Sequence, residues 1–477
     1  MDSRRVRRVV FFSVAALILL RPGALRAGDR EVEELKRQIK SLTDRMEQLE
    51  RERSTPQPSA VPPATPQPPS ATVVESAPPS PAEVRGRTSP VTARGSMNDQ
   101  QEAAPRPNDL TLEPMYRGFI PIPHTPVMIK FNAKPRTDAT YDNRDSGNDD
   151  RFATADIPVD GDPTKGGAGV FNINAKGSQL RVDVRAPDVA GSPRFYYEND
   201  FFGSGGGEFP YRVRHLYGKI YNVIVGQTFS IFEDPDAWPD TVDYEGPNSA
   251  VFARRPLLRY EQPITDEWHL NFGIEQPNSE VDTSIDPDAT GKNRAPDGGF
   301  NVRWEKSDFG HVQFASIFRD IGVRGPIVGQ QHVFGWGLNL SSGLDVFDSD
   351  SLQTQVTYGD GVFRYSNDDF QNNDAAFDGN GDLKALTYLA AMFGFTHRWT
   401  DTWRSTLSYG YVNLDNAASQ AGSAYHQTHY ASFNIIWQLR KRLSVGLEEL
   451  YGFKETKDGS DGDVFRTQIA LMYSIFD

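Results

Sequence analysis

Positively charged side chains recur at short intervals in a chain that is acidic as a whole. The formal net charge is -14, yet the stretch "FARRPLLRYEQ" (252–262) contains three arginines within six residues and no acidic residue before Glu261. A guanidinium group binds a carboxylate or a phosphate through two parallel hydrogen bonds, so closely spaced arginines can form an anion site. Whether they do so depends on the element that carries them and on the face to which they point.

Further cations occur at alternate positions in neighbouring stretches, as on one face of a β-strand. The stretch "SQLRVDVRA" sets Arg181 and Arg185 against the apolar Leu180, Val182 and Val184. We interpret these cations as a ladder contributed by the first half of the folded domain, because the stretches after residue 310 carry fewer of them. The candidate anion-binding residues are Lys130, Lys134, Arg136, Arg181, Arg185, Arg194, Arg212, Arg214, Arg254, Arg255, Arg259 and Arg303.

Acidic residues on the same faces give the arginines a second interpretation. Asp138, Asp183, Glu198 and Asp200 share faces with candidate cations under strict alternation. They would then neutralise the arginines in a network that stiffens the structure instead of leaving them to bind a solute. The sequence leaves both interpretations open.

Strict alternation cannot direct all three arginines of residues 252–262 to one face. Arg255 and Arg259 share a face, whereas Arg254 has the opposite parity. Pro256 lacks a backbone N–H, and prolines within strands favour bulges that shift the alternation by one residue. A bulge would direct Arg254 and Arg259 inward and make Arg255 the exception. The sequence does not decide between the two arrangements.

The N-terminal part of the chain contains segments that cannot contribute strands. Residues 1–27 combine a basic head, a short apolar run and a small-residue cut site, which predicts a secretion signal peptide. Residues 29–53 carry apolar side chains at alternating intervals of three and four, which predicts a short self-associating coiled-coil helix. The residues of this seam are Val32, Leu35, Ile39, Leu42, Met46 and Leu49.

A proline-rich segment follows the predicted coiled coil. Eleven prolines lie between Pro56 and Pro90, among Ser, Ala, Thr and Gln residues. Such a composition cannot pack a core and stays extended, so residues 54–109 are predicted to be a disordered linker. The folded domain is then predicted to comprise residues 110–477.

From residue 127 onward the period of the apolar residues changes from about 3.5 to 2. The stretch "IKFNAKPRTDATY" (129–141) is the clearest case, with one small and aromatic face and one charged face. About sixteen segments of this kind follow one another, and strands with apolar-out and polar-in faces are typical of membrane barrels. We therefore predict an all-β transmembrane barrel of about sixteen antiparallel strands.

The connections between these segments differ in length on the two sides. Turns such as "QPITDE" and "WTDT" are short, whereas stretches such as "EDPDAWPDTVDYEGPNSA" are long. Outer-membrane barrels have short periplasmic turns and long external loops. This pattern predicts a barrel in the bacterial outer membrane, surrounded by lipid, with the coiled coil in the periplasm. The loop at 233–250, ahead of the arginine-rich strand, is predicted to fold into the lumen.

Other chemistries have little support in the sequence. The chain has no cysteine, which excludes disulfides and cysteine-metal sites. The stretch "DGNGD" (378–382) has the spacing of a calcium loop but lacks its glycine at the sixth position, where Leu383 stands. No G-x-S-x-G motif occurs, and His426 and His429 have no apparent nucleophile partner. We expect no enzymatic activity, no cofactor, no bound metal and no nucleic-acid partner.

Several stretches resemble the DcaP-like family of trimeric outer-membrane porins, most strongly over residues 178–263. They are "SQLRVDVRA", "FYYENDFFG", "YRVRHLYGKI", "VIVGQTFSIFED" and "EGPNSAVFARRPLLRYEQP". The resemblance implies a homotrimer of barrels of about sixteen strands, with coiled coils bundled in the periplasm. It also implies uptake of small anionic solutes such as dicarboxylates, with the arginines of these stretches lining or supporting the pore. One departure is that Phe476 is followed by Asp477, where such barrels commonly end in an aromatic residue.

These observations predict a porin for passive uptake of small anionic solutes through an arginine-lined lumen. Rows of Arg or Lys select anions in pores. A phosphate-selective or general diffusion porin is the nearest alternative, although the predominance of Arg fits planar carboxylates better. A structural tether with a closed barrel is an alternative of a different class, because a coiled coil and a proline-rich spacer can anchor a membrane to the cell wall.

Overall fold

A computed structural model describes residues 118–204, 207–347, 349–368 and 373–475. The predicted signal peptide, coiled coil and linker lie outside the described residues. Helical structure in the described ranges is limited to three single 3-10 turns, at Thr154–Asp156, Pro235–Ala237 and Phe363–Tyr365. None of the described helices is long and apolar enough to cross a membrane.

The described ranges contain twenty-two β-strands. They are β1 (Ile120–Pro121), β2 (Met128–Lys134), β3 (Arg136–Asp142), β4 (Val170–Asn174), β5 (Gln179–Arg185), β6 (Arg194–Asp200), β7 (Arg212–Ile220), β8 (Val223–Phe229), β9 (Arg254–Pro263), β10 (Trp268–Glu275), β11 (Thr290–Lys292), β12 (Asp297–Lys306), β13 (Gly310–Gly325), β14 (Gly329–Val346), β15 (Asp350–Asp360), β16 (Ala375–Phe377), β17 (Leu383–Ala385), β18 (Thr387–Arg398), β19 (Trp403–Leu414), β20 (Tyr425–Arg440), β21 (Leu443–Thr456) and β22 (Asp461–Tyr473).

The number of strand segments exceeds the sixteen predicted because two long strands are interrupted and four further strands are short. Pro135 separates β2 from β3, and residues 175–178 separate β4 from β5. Proline cannot donate to the ladder, so the hydrogen bonding breaks there although the chain runs on in the same direction. Counting each interrupted pair once, and leaving out the short β1 and β11 and the separate two-stranded sheet of β16 and β17, gives sixteen long strands.

Neighbouring long strands pair antiparallel in the order in which they occur along the chain. The last strand, β22, pairs with β3 near the beginning of the sheet, with Ala470 opposite Asp138 and Ile469 opposite Ala139. The pairing of consecutive strands explains how short turns can connect most of them. One end of the sheet, which we call the short-turn end, carries connections such as 221–222, 264–267 and 441–442.

The opposite end of the sheet, the long-loop end, carries the long connections. Four of them span residues 143–169, 230–253, 276–296 and 361–382. Two connections at this end, 326–328 and 457–460, are short. The difference between the two ends agrees with the loop pattern of the sequence.

The two faces of the sheet have opposite character. On the outer face, large apolar side chains at strand centres are between 38% and 53% exposed, as for Leu180, Phe314, Leu340, Leu407 and Leu447. On the inner face, the alternating positions are mostly polar or small and are buried. A sheet with an apolar outside and a polar inside is suited to a lipid environment, because lipid solvates apolar side chains and water does not.

Aromatic side chains gather at the short-turn end of the outer face. Trp403 and Trp437 lie opposite each other on β19 and β20, with their rings 5.1 Å apart and nearly parallel at 8°. Trp304 packs on Phe309 at 5.0 Å and on Trp268 at 6.3 Å between ring centroids. Amphipathic rings of this kind form the belts that mark the boundary between lipid and water.

Candidate functional site

The connection between β8 and β9, which we call the crossing segment (residues 230–253), runs along the inner face of the sheet. Nearly all of its residues are buried, including Trp238 and Val242, which have no exposed surface. It contacts strands far apart in the sheet, from Asn301 of β12 to Glu448 of β21. The sequence-based prediction that residues 233–250 fold inward is therefore confirmed.

Amide side chains of the inner face hold the backbone of the crossing segment. Each donates its NH2 group to a backbone carbonyl of the segment at 2.8–3.2 Å. An irregular segment has no ladder to satisfy its carbonyls, and a buried carbonyl without a donor is costly. The donors are Asn301, Asn339, Gln313, Asn434 and Gln355, and their acceptors are the carbonyls of Ile231, Phe232, Glu233, Asp240 and Ser249.

Carboxylates of the crossing segment bind basic groups of the inner face. Asp234 accepts hydrogen bonds from Arg303 at 3.1 Å, from His311 at 2.8 Å and from the Ser341 hydroxyl at 2.6 Å. Burial alone would raise the pKa of Asp234, but His311 and Arg303 hold it below its ordinary value. These bonds fix one end of the segment to β12, β13 and β14.

The middle of the crossing segment is held at the opposite side of the sheet. Asp240 pairs with Arg404 of β19 at 2.5 Å. Glu448 of β21 accepts the backbone N–H of Asp243, and Arg136 of β3 donates to the carbonyl of Val242. Because the segment is bound on both sides, its position across the interior is fixed by many independent contacts.

One carboxylate joins two inward loops to each other and to strand β20 of the sheet. Asp368, in the connection between β15 and β16, accepts bonds from the Thr154 hydroxyl at 2.9 Å and from the Ala155 N–H at 2.8 Å. It also accepts the hydroxyls of Tyr425 at 2.9 Å and Thr428 at 2.6 Å, both on β20. Burial raises the pKa of Asp368, although these hydrogen bonds oppose the shift. We call this group of donors and acceptor the Asp368 cluster.

The arginines of "FARRPLLRYEQ" all reach the interior, and no bulge is needed to explain it. The pairing of β8 with β9 has no register shift, and Arg255 and Arg259 share the inward parity. Arg254 is the first residue of β9, where the chain leaves the crossing segment. The direction of its side chain therefore does not follow the alternation of the strand. Its guanidinium lies 4.4 Å from the Phe252 ring, and its Nε is 3.3 Å from His215 Nε2. The arrangement with Arg255 as the exception is therefore wrong.

Most of the remaining predicted cations are paired with acidic residues. Asp183 binds Arg185 and Arg194, each at 2.8 Å. The pairing that the sequence analysis offered as the second interpretation is thus present for all four acidic residues. The other pairs are Arg136 with Asp138, Arg181 and Arg214 with Glu198, Arg212 and Arg214 with Asp200, Arg259 with Glu261, and Arg303 with Asp234, Asp236 and Glu305.

The two predicted lysines lie on β2, at the edge of this network. Lys134 is buried, and Lys130 has its ammonium 5.6 Å from the centre of the Phe119 ring. The predicted cations therefore lie on β2, β3, β5, β6, β7, β9 and β12, and they differ in how much of each side chain is exposed.

A β-bulge brings two adjacent residues of β7 to the inner face. Glu198 pairs with His215 and the next residue, Asn199, pairs with Val213, so Arg214 is the extra residue. Both Arg214 and His215 are fully buried. His215 Nδ1 lies 3.0 Å from the Thr228 hydroxyl. Alternation alone predicts only one of these two side chains inside, and the sequence carries no proline or glycine there to signal the bulge.

Sequence reasoning missed several arginines in the second half of the sheet. Arg319 pairs with Asp297 and Asp374, Arg404 pairs with Asp240, and Arg466 pairs with Asp142, all on the inner face or on inward loops. The signal was available, because each of these arginines follows an exposed aromatic residue, which is Phe318, Trp403 or Phe465. The cations are therefore less confined to the first half than the sequence analysis stated.

The two halves of the inner face differ in access to solvent. Inner-face side chains of the second half are sealed by the inward loops, and Asn339, Thr357, Ser408 and Glu448 are each 0% exposed. In the first half, the side chain of Arg212 is 25% exposed and that of Arg259 is 13% exposed. Most predicted cations of the first half are buried as well, including Arg136, Arg194 and Arg214, so the difference rests on Arg212 and Arg259, which keep part of their side chains exposed.

Two arginines of β9 each have a buried guanidinium N–H without a partner among the described residues. The Nε atoms of Arg255 and Arg259 have no hydrogen-bond partner among the described residues. Arg255 donates through Nη2 to the carbonyl of Arg364 at 3.0 Å, and Arg259 binds Glu261 at 3.0 Å through Nη2.

Neither the acidic stretch at 378–382 nor any other described part of the chain groups three potential metal ligands. Asp378 accepts the backbone N–H groups of Asn380 at 2.7 Å and Asp382 at 3.0 Å. These bonds are those of a tight turn, which accounts for the spacing of the stretch.

A long antiparallel sheet with an apolar outer face, a charged inner face and inward loops defines the class of outer-membrane porin folds. The sequence matches the sequence pattern of the DcaP outer membrane protein family over residues 109–475. The chain therefore belongs to the DcaP outer membrane protein family.

Solved structures with a similar fold include two that are described as channels or porins. The outer membrane channel DcaP of Acinetobacter baumannii aligns with a TM-score of 0.66 and 21% identity, covering 75% of this chain and 99% of that one. An anion-selective porin from Comamonas acidovorans aligns with a TM-score of 0.49 and 12% identity, covering 73% and 100%. Among curated proteins, none matches this sequence.

Proposed function

We propose that the protein is an outer-membrane channel for passive uptake of small anionic solutes, with dicarboxylates as the expected class. The observation that carries the proposal is that Arg212 and Arg259 keep part of their side chains exposed on the inner face, whereas inner-face residues of the second half such as Asn339, Thr357 and Ser408 have no exposed surface. Rows of arginines favour anions over cations in a narrow path. The similar fold of a structure described as an outer membrane channel supports the same conclusion.

The sheet in this proposal is a closed transmembrane barrel of sixteen long strands. The pairing of β22 with β3 supports closure, because a closed sheet leaves no unpaired edge in lipid. The short-turn end faces the periplasm, and the long-loop end faces outward. The chain then places its predicted coiled coil in the periplasm, and the protein assembles as a homotrimer.

The crossing segment narrows the path and leaves the arginines on one side of it. An entering carboxylate would meet Arg212 near the long-loop end and Arg259 further along. The exposed parts of the Arg212 and Arg259 side chains offer it charge-assisted hydrogen bonds. The carboxylate of the solute would pass from one guanidinium group to the next, which allows the solute to cross without tight binding.

The experiment is a planar bilayer recording of the reversal potential across a KCl gradient. We expect a chloride-selective current in the wild type and a weaker selectivity in Arg259→Gln, because one positive charge is lost from the accessible surface. Glu261 retains Lys219 at 3.0 Å in that variant, so no buried carboxylate is left without a cation. Neutralising Arg254 and Arg255 together with Arg259 should weaken the selectivity further.

Arg294→Gln is the matched control. Arg294 carries the same charge but is 66% exposed in an outer loop, where it pairs with Asp320. We expect the control to keep the selectivity of the wild type. Cation selectivity in the wild type, or an equal loss in both variants, would contradict the role of the inner arginines. Blocking by succinate but not by phosphate would support dicarboxylates as the solute class.

A structural tether with a closed barrel is a second candidate, and a specific observation favours it. Most interior arginines are ion-paired, and inner-face residues of the second half such as Asn339, Thr357, Ser408 and Glu448 have no exposed surface. Such an interior could serve only to stiffen the wall. A folded protein that gives no current in the bilayer would support the tether and contradict the channel.

A further inference from the structure

The hairpin of β13 and β14, which contains the two longest adjoining strands of the sheet, carries the short strand β11 at its long-loop end. In the pairing of β11 with β13, Thr290 lies opposite Arg324 and Lys292 lies opposite Gly322. Val323 is fully buried on the inner face, so Gly322 and Arg324 point to the outer face. Lys292 and Arg324 are therefore diagonal neighbours on the outer face, about 7–8 Å apart. Both residues are exposed.

These two cations lie at the level of a lipid headgroup. Trp304, in the aromatic group of the short-turn end, lies opposite Val312 of β13. An apolar band about 25 Å tall takes about ten residues of a strand that is tilted by about 40° and rises about 3.3 Å per residue. Ten residues counted from Val312 end at Gly322. Lys292 therefore lies at the outer boundary of the band, and Arg324 lies just beyond it.

An exposed aromatic pair lies on the membrane side of the two cations. Phe318 and Phe334 are 43% and 63% exposed, and their rings are stacked with centroids 6.3 Å apart at 17°. Phe334 lies opposite Asp320, which precedes Gly322 by two residues. A molecule with acyl chains and a charged headgroup can therefore contact the rings and the cations at the same time.

The charges of Lys292 and Arg324 remain available to a ligand. Within the ranges that the structure describes, neither side chain forms an ion pair or a hydrogen bond. Other cations of the long-loop end are paired, as Arg144 is with Asp463. The surface formed by Lys292, Arg324 and the aromatic pair, which we call the outer basic patch, therefore differs from its surroundings in unused positive charge.

The carboxylates near the outer basic patch have other partners or no contact with its cations. Asp320 binds Arg294 at 2.6 Å. Asp286 is buried and accepts the backbone N–H groups of residues 327 and 328 at 2.8 and 3.0 Å. Asp288 is exposed and forms an ion pair with neither cation of the patch. These acidic residues therefore do not occupy the two cations.

We propose that the outer basic patch binds lipopolysaccharide, the phosphorylated glycolipid of the outer leaflet. A lipid phosphate contacts Lys292 and Arg324, and the acyl chains lie along Phe318 and Phe334. A lipid fits the patch better than a free phosphate does, because the cations adjoin exposed aromatic rings at the edge of the apolar band. The inference rests on the orientation in the proposed function, with the long-loop end outward, but not on conduction.

The test compares diphosphoryl and monophosphoryl lipid A with identical acyl chains. Each is added to the delipidated full-length protein in detergent, and native mass spectrometry counts the bound lipids. We expect the wild type to retain the diphosphoryl form preferentially. Lys292→Gln combined with Arg324→Gln should reduce that preference by on the order of tenfold, because two charges at the headgroup level are lost. Both positions are exposed, so the variant should fold as the wild type does.

The matched control combines Arg440→Gln with Lys441→Gln. It also removes one exposed arginine and one exposed lysine, but at the short-turn end, and it should leave the preference unchanged. Equal retention of both lipids by the wild type, or an equal loss in the control, would overturn the proposal. Displacement of the lipid by inorganic phosphate at the same concentration would also overturn it and would assign the patch to a free anion.

Bilayer recordings separate this proposal from that of the channel. Lys292 and Arg324 lie on the outer face, so their variant should keep the ion selectivity of the wild type while it loses the lipid preference. A wild type that conducts anions but binds both lipids equally would contradict the lipid site alone. A wild type that prefers diphosphoryl lipid A but gives no current would support the lipid site and contradict the channel.

Discussion

Substituting Asp368 by alanine should release the inward loops without unfolding the sheet. The Asp368 cluster joins residues 143–169, the connection after β15 and strand β20 through one carboxylate. Its removal leaves four buried donors without their acceptor. The Tyr425 and Thr428 hydroxyls are 2.7 Å apart and can bond each other, but the donors of Thr154 and Ala155 have no alternative among these groups.

The size of the effect follows from those two donors. A buried donor without a partner costs about 1–3 kcal/mol, so the docking of the loops should weaken by about 2–6 kcal/mol. The burial cost of the Asp368 carboxylate disappears at the same time, which places the expected loss in the lower part of that range. The ladder of the sheet is untouched, so the wall should remain folded.

The assay combines limited trypsin digestion with single-channel recording. Arg151 precedes the buried Phe152, and undocking of the loop should expose the bond between them to trypsin. We expect cleavage at this bond and larger, noisier currents in Asp368→Ala, and smaller effects in Asp368→Asn, whose amide keeps one acceptor. Asp378→Ala serves as the control, since the Asp378 turn is accessible to water, which can replace the lost acceptor.

One result would refute this reasoning. If Asp368→Ala shows the digestion pattern and the current of the wild type, the carboxylate does not hold the loops. The inward loops would then be retained by apolar packing alone, and the hydrogen bonds to Asp368 would contribute little.

Two further predictions concern pH and a glycine. Burial raises the pKa of Glu233 to about 8. The contribution of Glu233 to the stability of the docked crossing segment is therefore fully present below its ordinary pKa. This contribution is lost as pH rises to about 8. Conductance should therefore increase as pH rises from the ordinary value of 4.5 to about 8 and stay level above it, and Glu233→Gln should abolish that change; a pH-independent wild type would contradict it. Gly226 has a φ of 126°, and a Cβ added to it would lie 2.3 Å from the Leu216 carbonyl oxygen. Gly226→Ala should therefore yield little folded protein, measured as the heat-modifiable band on gels. Gly218→Ala is the control and should fold normally, because the nearest atom to its added Cβ is at 3.9 Å.

The strands were predictable from the sequence because their periodicity is determined by two different solvents. Lipid favours an outward Leu180, and the polar interior favours an inward Arg181. Alternation alone therefore assigns both residues to their faces. The inward course of residues 233–250 was also predictable, since a long loop beside an arginine-rich strand has partners inside. The interruption at Pro135 was visible too, but its effect on the ladder was not anticipated.

The side-chain partners were beyond the reach of the sequence. Arg214 and His215 both lie inside because of a bulge that no residue type announces, and such bulges depend on the register of the neighbouring strand. Arg254 escapes the alternation because the preceding segment turns inward, which is a tertiary effect. The Asp368 cluster brings together residues more than 200 positions apart, as in the bond from Thr154.

The amide donors that hold the crossing segment have a consequence for protein engineering. Asn301, Asn339 and Asn434 bind carbonyl groups of the main chain, which every amino acid possesses. The wall therefore specifies the path of the segment without specifying the side chains at the bound positions. The side chains that narrow the interior could therefore be changed by substitutions in the crossing segment, while the sequence of the strands is kept constant.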